Sequence, residues 1–367
     1  MSGEYQSNQS IGMQTKMRLL SRQLFWSVRA RTFLLPLGML CAHFLIQSFV
    51  VGIFTTLALF GSKNLTAINL SSPIFQQAIS LGLFVSAIIQ CLCYFFILLS
   101  INRRYPAHAG FLPTRPSQYA LAIPLAFTAL ASAQLSIYFL TALGEHLHFF
   151  QWQLSEYEQY ANRLFSSDNV LNFLSVVILV PIAEELLFRG IIMGEIKRVC
   201  RRPWLTILLG GTIFAIAHFN VIQSAYVFLV GILFAAVYVM TDSLFLTIIM
   251  HIIFNFFGRT GQTHLGIYVM SVIGLICFII LLVQFVQDQK RARLLAAQIS
   301  PDLAKRLKLI PLYLWRTEER AQSGVSTGPL YVPLPFTPNQ LPDGYGYPSK
   351  ANIRVNPVVM SFGHRQS

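Results

Sequence analysis

The chain has 367 residues, of which 54% are hydrophobic and only 11% are charged. Soluble domains carry about 25% charged residues, so this composition excludes a water-soluble globule of this size, a collagen-like fibre and a wholly disordered chain. A formal net charge of +13 would suggest nucleic-acid binding in a soluble protein. In a membrane protein it reports basic residues on the cytoplasmic side, and we predict a polytopic membrane protein with no nucleic-acid partner.

Eight apolar segments predict an all-α bundle of about eight transmembrane helices. The fifth and seventh segments are short for a full span, which indicates tilting or burial among their neighbours. The largest external loop is expected at Gly144–Asn169, between the third and fourth segments. The eight segments run approximately over Phe33–Phe60, Ile79–Ile101, Tyr119–Leu143, Val170–Ile192, Trp204–His218, Ala225–Met240, Leu244–Phe257 and Ile267–Val286.

The distribution of lysine and arginine predicts the orientation of the helices. With eight spans and a cytoplasmic amino terminus, 23 of the 27 basic residues fall inside and three fall outside, and Arg189 remains within a span. Seven or nine spans would break this alternation. Both termini are therefore expected in the cytoplasm, in the inner membrane if the source is bacterial.

The chain divides into five predicted regions. Residues 1–32 form a basic cytoplasmic segment, 33–169 hold helices one to three and the external loop, and 170–257 hold helices four to seven. Residues 258–288 form helix eight, and 289–367 form a basic, proline-rich cytoplasmic tail that is largely disordered. A basic amphipathic stretch at about Gln289–Leu309 predicts contact with anionic lipids at the cytoplasmic face.

The fourth segment carries charges that are rare within a membrane. It contains Glu184, Glu185 and Arg189, about fifteen residues into an apolar helix. Each such charge costs about 2.5–3.5 kcal/mol on insertion scales, which makes intramembrane ionisable residues candidates for function. Glu185 and Arg189 stand four residues apart on one face and predict a structural ion pair. Glu184 points about 100° away, so one acid can hold the helix while the other faces a cavity.

Two later segments bring polar groups to a comparable depth. The fifth contains Phe214 and His218, and the seventh contains His251 and Asn255, each pair four residues apart. Bilayers select against unpaired polar groups, so we expect the three segments to converge on one cavity.

Two kinds of chemistry fit this set of residues. A carboxylate and an imidazole can activate a water while a second imidazole and an amide stabilise an oxyanion, which hydrolyses an amide without a serine or cysteine nucleophile. The alternative is a zinc ion held by Glu184, His218 and His251, with one position left for water. The residues alone leave both alternatives open.

The three motifs, Glu184-Glu185-x-x-x-Arg189, Phe214-x-x-x-His218 and His251-x-x-x-Asn255, lie in this order on separate apolar segments. In this respect the chain resembles the CPBP family of intramembrane proteases. The family is also called the Abi or CAAX-protease family and includes the type II CAAX prenyl endopeptidases and bacteriocin-immunity proteins. The resemblance covers roughly Val170–Phe257, which would then be the catalytic core, and the family's helical bundle suits the eight predicted spans.

The resemblance implies an endopeptidase that cleaves a membrane protein or peptide, lipidated substrates among the candidates, at or near the membrane. It also implies a role for each residue: Glu184 and His218 activate the water, and His251 and Asn255 form the oxyanion hole. Glu185 and Arg189 support the site and Phe214 packs beside it. We expect no required cofactor, because Asn255 is a poor zinc ligand and a good oxyanion donor, with zinc as the alternative.

Two other functions remain open on the sequence. Buried glutamate and histidine also occur in proton-coupled transporters, although the internal repeats common in transporters are not visible in this chain. A catalytically silent immunity or scaffold protein of the same family is the other, and the complete set of motifs counts against it.

Overall fold

In a computed structural model of the chain, the structure describes residues 30–61, 72–104, 119–165, 170–200, 202–260 and 264–299. All of them belong to the first of two compact units, residues 1–330, and the second unit, 331–367, lies outside the described residues. The regular structure in the described ranges is helical. It comprises α1 (Ala30–Gly61), α2 (Pro73–Arg104), α3 (Ala122–His146), α4 (His148–Phe165), α5 (170–199), α6 (Pro203–Ile216), α7 (Val221–Thr241), α8 (Leu244–Thr260) and α9 (His264–Ile299).

The prediction of an all-α polytopic membrane protein is confirmed. Six of the described helices, α1, α2, α3, α5, α7 and α9, are long and apolar enough to cross a membrane. The two shorter apolar helices are α6 and α8, which are the fifth and seventh predicted segments. On α1 and α9 many large apolar side chains are exposed, as expected for helices that face lipid tails.

One helix lies where the sequence predicted a loop. α4 occupies most of Gly144–Asn169, because its apolar side chains fall on one face and can be buried against the bundle. Leu154 on that face packs against α3 and α7. The Tyr157 hydroxyl donates a hydrogen bond to the Tyr226 hydroxyl on α7 at 3.2 Å, and burial raises the pKa of Tyr157.

α5 is a continuous helix in which α-helical and π-helical stretches alternate. Two π-helical stretches, Leu174–Leu179 and Leu186–Ile192, flank the α-helical turns that carry the glutamate pair. The backbone N–H of Val180 donates to the carbonyl of Ser175, five residues earlier. Pro181 follows directly and has no N–H to donate, and the wider turn before it keeps the helix unbroken. Such π-helical insertions are frequent at functional sites.

α5 lies at the centre of the bundle, where it packs against α1, α2, α6 and α8. Leu187 and Ile191 on α5 are fully buried. The neighbouring pair α6 and α7 approaches closely at Gly211, where an added Cβ would lie 2.9 Å from the backbone nitrogen of Ile232. Small residues at such crossings are typical of helices packed within a membrane.

The two ends of the chain are only partly described. α9 continues to Ile299 without a break, so the first part of the predicted basic stretch Gln289–Leu309 is continuous with the last apolar helix. The rest of that stretch, the proline-rich tail and nearly all of the basic segment 1–32 lie outside the described residues.

Candidate active site

The two adjacent glutamates of α5 point into different surroundings. Glu185 is fully buried, whereas the side chain of Glu184 is 16% exposed and lines a cavity between the helices. The sequence predicted this division from the 100° rotation between neighbouring helical residues. Glu184 is therefore open to a ligand or to water, and Glu185 is committed to contacts within the protein.

The buried carboxylate of Glu185 is neutralised by Arg189, one turn further along α5. Arg189 Nη1 lies 3.0 Å from Glu185 Oε1, and both side chains are almost completely excluded from the surface. The guanidinium makes no hydrogen bond to any described residue, and two aromatic rings cover it instead. Its Cζ lies 4.2 Å from the ring centroid of Phe214 and 5.5 Å from that of Phe234. Charge and cation–π contact together hold this cation in place.

His251 on α8 connects the two glutamates. Its Nδ1 hydrogen-bonds to Glu185 Oε1 at 2.9 Å, and its Nε2 lies 3.7 Å from Glu184 Oε2. Because a carboxylate only accepts, Nδ1 carries the proton of the first contact. The contact with Glu185 therefore fixes the ring so that Nε2 faces Glu184 and the cavity.

His218 is held in a defined tautomer at the end of α6. The helix ends at Ile216, and His218 lies in the turn that follows. Its Nδ1 is 2.8 Å from the carbonyl oxygen of Phe214, and because a carbonyl only accepts, Nδ1 must carry the proton. The other nitrogen, Nε2, then has a free lone pair. The next residue, Phe219, has a left-handed backbone with φ of 50° and turns the chain into α7.

Asn255 lies one turn beyond His251 on α8. Its Nδ2 donates to the carbonyl oxygen of Val176 at 2.8 Å, within the first π-helical stretch of α5. This bond uses one of the two amide hydrogens and orients the side chain, which lines the same cavity.

The cavity has a volume of about 500 Å³ and brings together polar groups of α5, of α8 and of the turn after α6. Glu184, His218, His251 and Asn255 all line it, with Phe214 beside them. Phe214 packs edge-on against both imidazoles, with ring centroids 5.0 Å from His218 and 6.0 Å from His251. The predicted convergence is therefore present in the structure.

A third histidine lies in this cavity, and sequence reasoning missed it. His43 on α1 is buried and lines the cavity. It interacts electrostatically with Glu184 and His218, and its Nδ1 is 3.1 Å from the Tyr94 hydroxyl on α2. A histidine within an apolar span was the available signal. Gln47, one turn further along α1, lines the same cavity, so the pair His43 and Gln47 at i, i+4 was the signal that sequence reasoning overlooked.

The zinc alternative depends on whether the side chains can approach one common point. Among the described residues, no group of three or more His, Cys, Asp or Glu side chains is arranged to hold a metal ion. Glu184, His218 and His251 are the right ligand types for zinc. On the chemistry of these donors, zinc therefore stays the alternative to a metal-free site.

Comparison with known proteins identifies the segment that carries the site. Residues 166–257 match the family model described as type II CAAX prenyl endopeptidase Rce1-like. The resemblance to the CAAX-protease family is confirmed over this segment. The match contains the four cavity residues named above and Glu185, Arg189 and Phe214, and it supports a CAAX-type intramembrane protease, hence a hydrolase, at the level of the family.

A curated relative also matches part of the chain. An uncharacterized 24.3 kDa protein of Escherichia coli is 32% identical over 102 residues, which is 26% of this chain and 47% of that protein. The chain thus spans about half the length of this curated relative. No solved structure matches the chain. Helices α1 to α4, with His43 and Tyr94, lie outside the segment that matches the CAAX-protease family.

Proposed function

We propose that this protein is an intramembrane endopeptidase that hydrolyses a peptide bond with a water activated by Glu184 and His218. The observation that carries the proposal is the convergence of Glu184, His218, His251 and Asn255 on one cavity between apolar helices. Taken singly, each of these residues could be a buried polar group with a structural partner. Their common cavity provides the base and the donors that amide hydrolysis needs.

Glu184 would act as the general base. Its carboxylate is open to the cavity, whereas the neighbouring Glu185 is occupied by Arg189 and His251. The lone pair of His218 Nε2 would accept a second hydrogen bond from the same water and orient it. As Glu184 takes the proton, the water oxygen attacks the carbonyl carbon of the substrate.

His251 and Asn255 would stabilise the oxyanion of the tetrahedral intermediate. Asn255 donates one amide hydrogen to Val176 and retains a second for the substrate oxygen. The Nδ1–H of His251 donates its hydrogen bond to Glu185, so Nε2 donates only when the ring is an imidazolium. The hydrogen bonds to Val176 and Glu185 hold the Asn255 amide and the His251 ring in position before the substrate binds, and such preorganisation is the condition for effective oxyanion stabilisation.

The proposed mechanism uses no metal, and a zinc ion held by Glu184, His218 and His251 is the alternative. Glu185 and Arg189 would act as supports that hold His251 and the second half of α5. The substrate would be a membrane protein or peptide, with lipidated ones as candidates. Anionic lipids would bind the basic segments at the cytoplasmic face, where both termini would lie, as the distribution of basic residues suggests.

The test compares variants of the purified protein in phosphatidylcholine–phosphatidylglycerol vesicles with quenched fluorescent peptides that carry a lipid anchor. We expect Glu184→Gln and His218→Ala each to lower the cleavage rate by a factor of about 10² to 10⁴ without lowering the unfolding temperature. Glu156→Gln, an exposed glutamate on α4, is the matched control and should cleave normally. Full cleavage by Glu184→Gln would exclude the general-base role.

A further inference from the structure

We propose that His43 is a further catalytic residue of this cavity, and that it delivers a proton to the amine that leaves when the peptide bond breaks. The inference rests on the proposed function, because it assigns a role within the same hydrolysis. His43 belongs to α1, outside the segment 166–257 that matches the family model. The imidazole would complete the site from a different part of the chain.

Two residues of α2, one turn apart, hold His43 in place. Gln90 donates from Nε2 to the main-chain carbonyl of His43 at 2.9 Å. The Tyr94 hydroxyl lies 3.1 Å from His43 Nδ1. Gln90 and Tyr94 are themselves buried. A main-chain anchor and a side-chain anchor together fix both the position of α1 and the rotation of the ring.

The fixed ring leaves one nitrogen for chemistry. The Tyr94 hydroxyl can accept as well as donate. In the tautomer in which it accepts the Nδ1 hydrogen, Nε2 of His43 carries a free lone pair, and no described residue bonds to it. The imidazole lines the cavity, and it is close enough to Glu184 and His218 for electrostatic interaction. Holding a histidine at depth without a second partner for Nε2 costs free energy in a membrane, which favours a functional reason for its presence.

His43 also approaches from a different side than the proposed oxyanion donors. α1 packs against α2 and against residues 186–199 of α5, whereas α8, which carries His251 and Asn255, packs against α3, α7 and residues 174–192 of α5. In a tetrahedral intermediate the oxyanion and the leaving nitrogen are separate substituents of the same carbon. If the side chains of α8 donate hydrogen bonds to the oxyanion, the His43 side chain on α1 is placed to donate a proton to the leaving nitrogen.

The proton transfers balance over one turnover. Glu184 takes one proton from the water as the oxygen bonds to the carbonyl carbon, and passes it to His43 Nε2, which becomes an imidazolium. As the carbon–nitrogen bond breaks, Nε2 gives this proton to the nitrogen, and a neutral amine leaves with the electron pair of the bond. Both side chains return to their starting states. One imidazole nitrogen that first accepts and then donates a proton is also the arrangement used in serine proteases.

A pair of substrates with different leaving groups separates this role from a structural one. One acyl peptide with a lipid anchor is prepared as a 4-nitroanilide, whose amine needs a proton to leave, and as a 4-nitrophenyl ester, whose phenolate does not. We expect His43→Gln to lower the anilide rate by a factor of about 10² to 10³ and the ester rate less than about fivefold. Tyr94→Phe keeps the imidazole but loses its anchor, and should lower the anilide rate by a factor of about 3 to 10.

The controls separate failure of this inference from failure of the proposed function. His146→Gln, at the exposed end of α3, should leave both rates unchanged, and Glu184→Gln should abolish both. An unchanged anilide rate in His43→Gln overturns the inference. It is also overturned if, in both His43→Gln and Tyr94→Phe, the ester rate falls by the same factor as the anilide rate. Neither result affects the role of Glu184. Failure of the wild-type protein to cleave either substrate would instead refute the proposed hydrolysis itself.

Discussion

The substitution Arg189→Met tests whether the ion pair within α5 holds the site together. Arg189 and Glu185 are both fully buried, and methionine fills similar space without a charge. The change removes the guanidinium that neutralises the Glu185 carboxylate and leaves it with hydrogen bonds to His251 and Thr247. Removing one partner of a buried pair typically costs about 3–5 kcal/mol, because the remaining charge is left uncompensated. We therefore expect a loss of this size in the free energy of unfolding.

The assay is equilibrium unfolding in mixed detergent micelles, followed by helix content as the denaturing detergent is increased. Arg202→Met removes an exposed arginine and should change the free energy of unfolding by less than about 0.5 kcal/mol. The double variant Glu185→Gln with Arg189→Met removes both charges. Its loss in the free energy of unfolding should be about 2–3 kcal/mol smaller than the sum of the two single losses. Strictly additive losses, or a loss below about 1 kcal/mol in Arg189→Met, would refute the reasoning.

Two further predictions concern packing and metal dependence. Gly211→Ala should lower the free energy of unfolding by about 1–3 kcal/mol, and with it the unfolding temperature, because its Cβ would meet the backbone of Ile232. Gly38→Ala, where nothing lies within 4 Å of the added Cβ, should not, and equal effects of the two substitutions would contradict the close crossing of α6 and α7. Peptide cleavage should persist after treatment with a chelator such as phenanthroline, measured beside elemental analysis of the protein; stoichiometric zinc whose removal abolishes activity would refute the metal-free mechanism.

The sequence already indicated most of the helices, because apolar runs of about 20 residues have few alternatives in a bilayer. It also separated the roles of Glu184 and Glu185, since neighbouring residues of a helix point about 100° apart. It did not predict α4. The apolar residues of α4 are interrupted by polar ones. They stabilise the helix only when they are buried, as Leu154 is against α3 and α7.

The π-helical stretches of α5 were equally absent from the sequence reasoning. Pro181 removes one backbone donor from the helix, but an apolar run has the same composition whether its hydrogen bonds span four residues or five. The winding is set by the neighbours. Asn255 on α8, for example, binds the Val176 carbonyl within the first of these stretches.

By itself, the sequence determined the all-α membrane class and most of the helices. It also singled out the candidate residues of α5, of α8 and of the end of α6, because polar and charged groups in apolar segments are costly and therefore conspicuous. The tertiary structure decided what surrounds those residues: the tautomer of His218, the bridging position of His251 and the aromatic cover over Arg189. Only the tertiary structure brought His43 into the same cavity. The chemical surroundings of this imidazole come from α2 and α5, which are distant in the chain.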